Sequence, residues 1–276
     1  MKIIDTRLRP PYKSIKEQAF FQPEHCEPFA ATYDMTMAPS AKEKSMELLL
    51  QEMEKSGVEK GLTPFNNRGV GMKNSDFCDL IRDYPGKFVG FAYIDPQAGV
   101  KKAFEVIDEN VLKGDFTGVN FEPGLDNIPW RVDNDFFFPI YEKCEAENIP
   151  VYMTWGGLLT EPWVYDPNAI NNVAKNFPRM KIMLSHAGFP RNGETCVVAM
   201  NHPNVYLNVD LYIINCFGAQ DFIAAANCRL KNQICFGSAY PYADINKMVD
   251  YYLKAGFREE VINNVMYNNA ARYLGE

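Results

Sequence analysis

Pro150-Val-Tyr-Met-Thr154 and Lys181-Ile-Met-Leu-Ser-His186 are short apolar runs separated by a helical pattern at 167–177. Neither alternates apolar with polar residues, as a strand with one wet face would. Near-continuous apolar runs of this length suit parallel strands buried on both faces, joined by a crossover helix. The same unit recurs along the chain. Apolar strands are expected near 1–9, 58–67, 88–95, 117–122, 150–154, 181–186, 205–210 and 233–237. Helices are expected at 40–57, 74–84, 99–112, 134–148, 167–177, 192–201, 218–230, 244–255 and 258–273. Eight strands alternating with helices in 276 residues predict a (β/α)8 TIM barrel occupying 1–276 as one domain, since such barrels commonly take about 250 residues.

Ser40-x-x-Glu43 reads as a capping box opening the first long helix, and Gly57 as its C-terminal cap. Residues 10–39, with prolines at 10, 11, 23, 28 and 39, read as a long loop of the kind that is usually functional; it carries His25, one of three histidines.

Composition narrows the function classes. A hydrophobic fraction of 47% and a charged fraction of 23% describe an ordinary globular protein. The net charge of −7 and the absence of a Lys/Arg-rich run argue against a nucleic-acid partner. The most apolar stretch, 196–217, is broken by Asn201, His202, Pro203 and Asp210, so no membrane span is expected. Seven scattered cysteines without CxxC spacing, and no export signal, predict reduced thiols and a cytoplasmic location.

In a barrel of this kind the working residues stand at the C-terminal strand ends. In order these are Arg7 and Arg9, Asn66 and Asn67, Asp95, Glu122, Thr154 and Trp155, His186, Asp210 and Tyr212, then Ser238 and Tyr240. Strand alternation puts Asp5, Arg7 and Arg9 on one face and Ile4, Thr6 and Leu8 on the other. Two adjacent guanidiniums repel each other and suit an anionic ligand; the alternative is that they pair with acids and merely hold the barrel mouth. His186 ends an apolar strand directly before a glycine-containing turn, whereas His202 reads as a turn residue at the opposite end. Glu122 reads equally as a base or as a partner neutralising an arginine. Asp95 and Asp244 read equally as turn or cap residues.

Five stretches carry a family resemblance: Ile4-Asp5-x-Arg-x-Arg9, Gly118-Val-Asn-Phe-Glu-Pro123, Ile149-Pro-Val-Tyr-Met-Thr154, Leu184-Ser-His-Ala-Gly188 and Ile234-Cys-Phe-Gly-Ser-Ala-Tyr-Pro241. Together, in this order, the chain resembles the amidohydrolase superfamily, in the amidohydrolase-related family 2 branch. That branch holds aminocarboxymuconate-semialdehyde and resorcylate decarboxylases together with hydratases, lactonases and lactone isomerases. Metal-dependent members carry His-x-His on strand one, a His on strand five, a His on strand six and an Asp on strand eight. At those positions this chain has Arg7 and Arg9, Thr154, His186 and Ala239. Zinc needs three or four N, O or S donors, and arginine offers none. No metal or other cofactor is therefore expected; zinc at a shifted site drawing on His186, Glu122, Asp210 or His25 is the minor alternative.

The expectation that follows is a metal-independent hydrolase or isomerase (a lactonase or lactone isomerase) acting on a small carboxylate. Arg7 and Arg9 would hold the anion by bidentate contacts. His186 would serve as general acid/base, with Glu122 or Asp210 orienting it or acting as a second base. Thr154, Trp155, Tyr240 and His25 complete the expected binding set. The arginines should lower the pKa of a phenol such as Tyr240 or Tyr212, while Trp155, Trp130, Trp163 and Phe20-Phe21 could form walls and a lid. The rival readings are a metal-dependent carboxy-lyase or hydratase of the same branch, and a carboxylate-binding barrel without chemistry. The resemblance is also compatible with a homodimer, although the sequence shows no spare apolar stripe.

Overall fold

The computed structural model describes residues 1–64, 74–157 and 161–276. Eight parallel strands follow in chain order: β1 Ile3–Asp5, β2 Val58–Pro64, β3 Phe88–Tyr93, β4 Gly118–Phe121, β5 Val151–Thr154, β6 Ile182–Ser185, β7 Val205–Asn208 and β8 Ile234–Cys235. Each strand falls inside an apolar run read from the sequence. Closure between the first and last strands comes from Thr6 N–H donating to the Phe236 carbonyl (3.0 Å) and Arg9 N–H to that of Tyr240 (3.3 Å). The result is a (β/α)8 barrel.

Two layers fill its interior. Ile4, Leu62, Phe91, Tyr152, Met183, Tyr206 and Cys235 form the apolar one, and Tyr273 from the helix Asn269–Leu274 seals it from the N-terminal side, stacking on Phe91. Tyr273 also donates to the carbonyl of Val151 at the start of β5 (2.9 Å). Burying each such large side chain stabilises the fold by roughly 1.5–3 kcal/mol. Toward the C-terminal ends the layer turns polar: the Tyr152 hydroxyl and Asn208 Nδ2 both donate to the Thr6 carbonyl, at 2.9 and 3.3 Å.

Several helix boundaries differ from the sequence expectation. The proline-rich stretch 10–39 holds two short 3₁₀ turns, Lys13–Glu17 and Ala19–Phe21, and a helix, Pro23–Ala31. Pro23 stands at the first helical position, where a missing N–H costs nothing. Ser40 is not the cap of the long helix. That helix runs Met46–Ser56 and is capped by Ser45, whose hydroxyl accepts from Leu48 N–H, because the chain breaks at Lys44 with φ 50°. Gly57 does cap its C-terminus, with φ 80°, and a Cβ there would lie 2.6 Å from the Met1 carbonyl oxygen. Asp95 and Asp244 are cap residues, accepting from Gln97 N–H and from Asn246 and Lys247 N–H. All seven cysteines are free. No helix among the described residues is long and apolar enough to cross a membrane.

Candidate active site

The charged residues gather at the C-terminal strand ends. β1 stops at Asp5 because its Oδ1 accepts the N–H of Arg7 (3.0 Å) and, across the closure, the N–H of Ser238 (2.9 Å). This Asx turn resets the alternation. Asp5 and Arg7 therefore do not share a face: Ile4 fills the barrel interior, and Arg7, three residues on, also reaches inward to Tyr152 and Asp210. Burial raises the Asp5 pKa to about 6, against the two N–H donors that favour its anion.

His186 and Asp210 are brought together from the ends of β6 and β7. His186 Nδ1 lies 2.8 Å from Asp210 Oδ2, and Arg7 Nε lies 3.7 Å from the same oxygen. With Nδ1 turned to the carboxylate, Nε2 is the nitrogen left for a substrate. Burial pushes the His186 pKa down; Asp210 opposes this, and Arg7 and Arg9 reinforce it, so the neutral imidazole is favoured. Both residues are left-handed, His186 at φ 67° and Asp210 at φ 45°, as are Ala187 (49°) and Ala239 (57°). A non-glycine residue held this way costs of order 1–3 kcal/mol, and such positions cluster at functional sites.

The two arginines differ. Burial works against the charge of Arg7, but Tyr152, Asp210 and Glu122 outweigh it and its pKa rises. Arg9 has no carboxylate in ion-pair contact among the described residues. Burial and the neighbouring Arg7 lower its pKa to about 10, which still leaves it cationic, and its guanidinium lies 5.5 Å over the Phe20 ring. Arg7 Nη1 and Arg9 Nε are buried without hydrogen-bond partners among the described residues.

Glu122, at the end of β4, is fully buried. Its Oε1 accepts from Thr154 Oγ1 (2.8 Å) and Asn120 Nδ2 (3.0 Å). Asp210 rather than Glu122 therefore contacts the histidine, and Thr154 holds Glu122.

Other expected residues lie elsewhere. Tyr240 turns its hydroxyl to Ser40 (2.8 Å), which in turn bonds Glu52; burial raises its pKa, so the expected lowering by the arginines is not found. The side chain of His25 is exposed on the helix Pro23–Ala31. Trp155 is buried edge-on against Tyr165, with ring centroids 5.4 Å apart. His202 sits at a helix end and bonds Asn171 (2.8 Å). Asn66 and Asn67 lie outside the described residues.

Tyr212 belongs to the site more closely than the sequence suggested. Its ring meets His186 edge-on at 5.1 Å and stacks on Phe189 at 4.4 Å. Gly157 closes over the pair: at φ +115°, an added Cβ would lie 3.3 Å from the Tyr212 hydroxyl and 3.8 Å from His186 Cδ2. The glycine pair after Trp155 was the available signal for this close approach. Among the described residues, no three His, Cys, Asp or Glu side chains come together as a metal-binding group.

Comparisons with known proteins agree on the architecture. The amidohydrolase family model matches residues 46–275. An uncharacterized TIM-barrel protein from Bordetella bronchiseptica is 33% identical, with 100% of each chain covered and a TM-score of 0.92. A 2,6-dihydroxybenzoate decarboxylase from Rhizobium is 15% identical, over 100% of this chain and 99% of that one, with a TM-score of 0.66. A 5-carboxyvanillate decarboxylase from Novosphingobium aromaticivorans, complexed with manganese and 4-hydroxy-3-methoxy-5-nitrobenzoic acid, is 13% identical over 100% and 96%, with a TM-score of 0.69. At these identities the two decarboxylases share the fold alone. No curated protein matches the chain.

Proposed function

This chain belongs to the amidohydrolase family, and from that premise we propose that it is a metal-independent enzyme acting on a small carboxylate of the lactone or cyclic-acid type. The observation that carries the reading is the contact of His186 with the buried Asp210, beside Arg7 and Arg9. A neutral imidazole oriented by a carboxylate is suited to act as a general base. Buried guanidinium N–H groups without partners are suited to a planar carboxylate.

Lactone hydrolysis then runs as follows. The substrate carboxylate is held by Arg9 and by the free edge of Arg7. His186 Nε2 takes a proton from water as the water oxygen bonds to the lactone carbonyl carbon. The negative charge moves to the carbonyl oxygen, where guanidinium charge stabilises it. Collapse re-forms the carbonyl, breaks the ring C–O bond and returns the proton from His186 to the departing oxygen. Isomerisation uses the same shuttle, with the proton taken from carbon and returned to carbon.

The donor set does not suit the metal of metal-dependent relatives. Arg7 places a cation within 3.7 Å of Asp210 Oδ2, the same oxygen that His186 contacts. A dication there would be repelled, and the remaining donors are too few. The likeness to decarboxylases, one of them holding manganese, favours a carboxy-lyase as the second reading.

The test is metal analysis of the purified protein, followed by a screen of lactones and of aromatic and sugar acids with the wild type and His186→Ala. Substoichiometric metal, chelator-resistant turnover of a lactone and a loss of about 10²–10⁴-fold in the variant are expected. Stoichiometric manganese or zinc whose removal abolishes activity would overturn the reading in favour of the carboxy-lyase. Equal ligand binding by both proteins without turnover would leave a binding protein.

A further inference from the structure

Arg9 carries its charge without an acid beside it. Arg7 is in ion-pair contact with Asp210, whereas Arg9 contacts no carboxylate among the described residues and is repelled by Arg7. It is only 7% exposed, and its Nε has no hydrogen-bond partner among the described residues. A buried cation in this condition needs another source of negative potential. The face of an aromatic ring supplies one through its quadrupole, and the guanidinium carbon of Arg9 lies 5.5 Å over the centre of the Phe20 ring.

That ring has a seat of its own. Ala19-Phe20-Phe21 is a 3₁₀ turn, held by Phe21 N–H donating to the Gln18 carbonyl (2.9 Å) and Gln22 N–H to that of Ala19 (3.0 Å). At three residues per turn, successive side chains diverge by about 120°. Phe21 takes the inward direction and is fully buried, its ring edge-on to Tyr240 at 6.2 Å. Phe20 therefore points elsewhere and is only partly buried. It leans on Tyr242 (6.5 Å), against which Phe29 of the helix Pro23–Ala31 packs in turn (4.7 Å). A phenylalanine with a packing role alone would sit in the core, as Phe21 does; Phe20 leaves part of its surface in solvent and lays its ring over a cation.

We propose that Phe20 is a positioning residue for Arg9, its ring holding the guanidinium in place and screening it from water. Its part in binding rests on the anion-binding reading of the arginines above. A carboxylate then meets Arg9 where water is excluded, which strengthens the charge pair, and where the side chain has little freedom left to lose. The proline-rich segment after β1 thus contributes to the site through Phe20, while His25 of the same segment stays outside it.

Phenylglyoxal modifies accessible guanidinium groups, and peptide mass spectrometry follows the reaction residue by residue without any ligand. In the wild type Arg9 is expected to react slowly beside the exposed Arg229. In Phe20→Ala its rate approaches that of Arg229, while Arg7, held by Asp210, stays slow. In parallel, benzoate and butanoate are titrated by calorimetry into the wild type, Phe20→Leu and Phe20→Tyr. Phe20→Leu keeps an apolar side chain but loses the ring face, and is expected to weaken both acids about fivefold; Phe20→Tyr keeps the ring and the wild-type affinity. The inference is overturned if Arg9 reacts alike in the wild type and Phe20→Ala, or if Arg7 becomes reactive together with it, which would mark a general loosening. It is also overturned if Phe20→Leu binds as tightly as the wild type, or if Phe20→Tyr binds as weakly as Phe20→Leu. If neither acid binds the wild type, the anion-binding reading fails, and the labelling alone decides whether Phe20 screens Arg9.

Discussion

Replacing Asp5 with asparagine isolates the cost of burying a carboxylate beneath the site. Asp5 is fully buried, and its pKa is raised from 3.8 to about 6. Between these values the native chain holds a proton that the unfolded chain has released. Stability therefore falls as pH rises through this window, and the burden is complete above pH 6 and absent below 3.8. At about 1.4 kcal/mol per tenfold change in proton affinity, the contribution is roughly 3 kcal/mol. Spread over a chain of this length, it corresponds to about 5 °C in Tm. The asparagine carbonyl still accepts from Arg7 N–H and Ser238 N–H but has no charge to desolvate. Thermal or denaturant unfolding of both proteins from pH 4 to pH 8 provides the assay. The expected result is a difference between variant and wild type that grows in favour of the variant, by about 3 kcal/mol across the range. A flat difference, or one that shrinks with pH, would show that the Asp5 anion is not disfavoured in the fold and would refute the reasoning.

Four further outcomes are expected. Asp210→Asn removes the charge that holds the His186 pKa up, so the acid limb of kcat/KM moves to lower pH while the maximum drops; pH–rate profiles check both. Arg9→Met raises KM with little loss of Tm, because Arg9 lacks a carboxylate partner, whereas Arg7→Met leaves Asp210 facing an apolar side chain and lowers stability by up to about 3–5 kcal/mol. A calorimetric scan of the two separates them. Gly157→Ala brings a methyl group to 3.3 Å from the Tyr212 hydroxyl at φ +115° and costs of order 1–3 kcal/mol in backbone strain. Its effect on steady-state turnover should exceed that of alanine at the open, exposed Gly86. Ser45→Ala removes the cap of Met46–Ser56 and lowers stability by about 1 kcal/mol, whereas Glu43→Ala, in the motif that the sequence favours, leaves it unchanged in a melt.

The barrel was legible because burial on both faces writes a local signature: Ile182–Leu184 is apolar whatever it later packs against. His186 and Asp210 were legible for the same reason, as polar residues closing apolar runs. What escaped depends on partners distant in sequence. The turn at Asp5 needs the N–H of Ser238, and the orientation of Tyr240 needs the hydroxyl of Ser40. Neither pairing leaves a periodic trace. Ser40 and Ser45 both precede helix-forming residues, and only the left-handed Lys44 between them decides which one caps. The helix at Pro23–Ala31 was hidden because proline reads as a breaker, although at the first helical position it is compatible with a helix.

The left-handed residues at the ends of β6, β7 and β8 place two demands on the same positions. At 186 and 210 the backbone favours glycine or asparagine, while the chemistry asks for an imidazole and a carboxylate; at 239 only the backbone speaks. A library selected for heat resistance alone should therefore drift toward glycine or asparagine at all three. A library selected also for turnover should accept that drift at 239 and reject it at the other two. Comparing the two selections would separate what the fold prefers from what the reaction requires, residue by residue, without knowledge of the substrate.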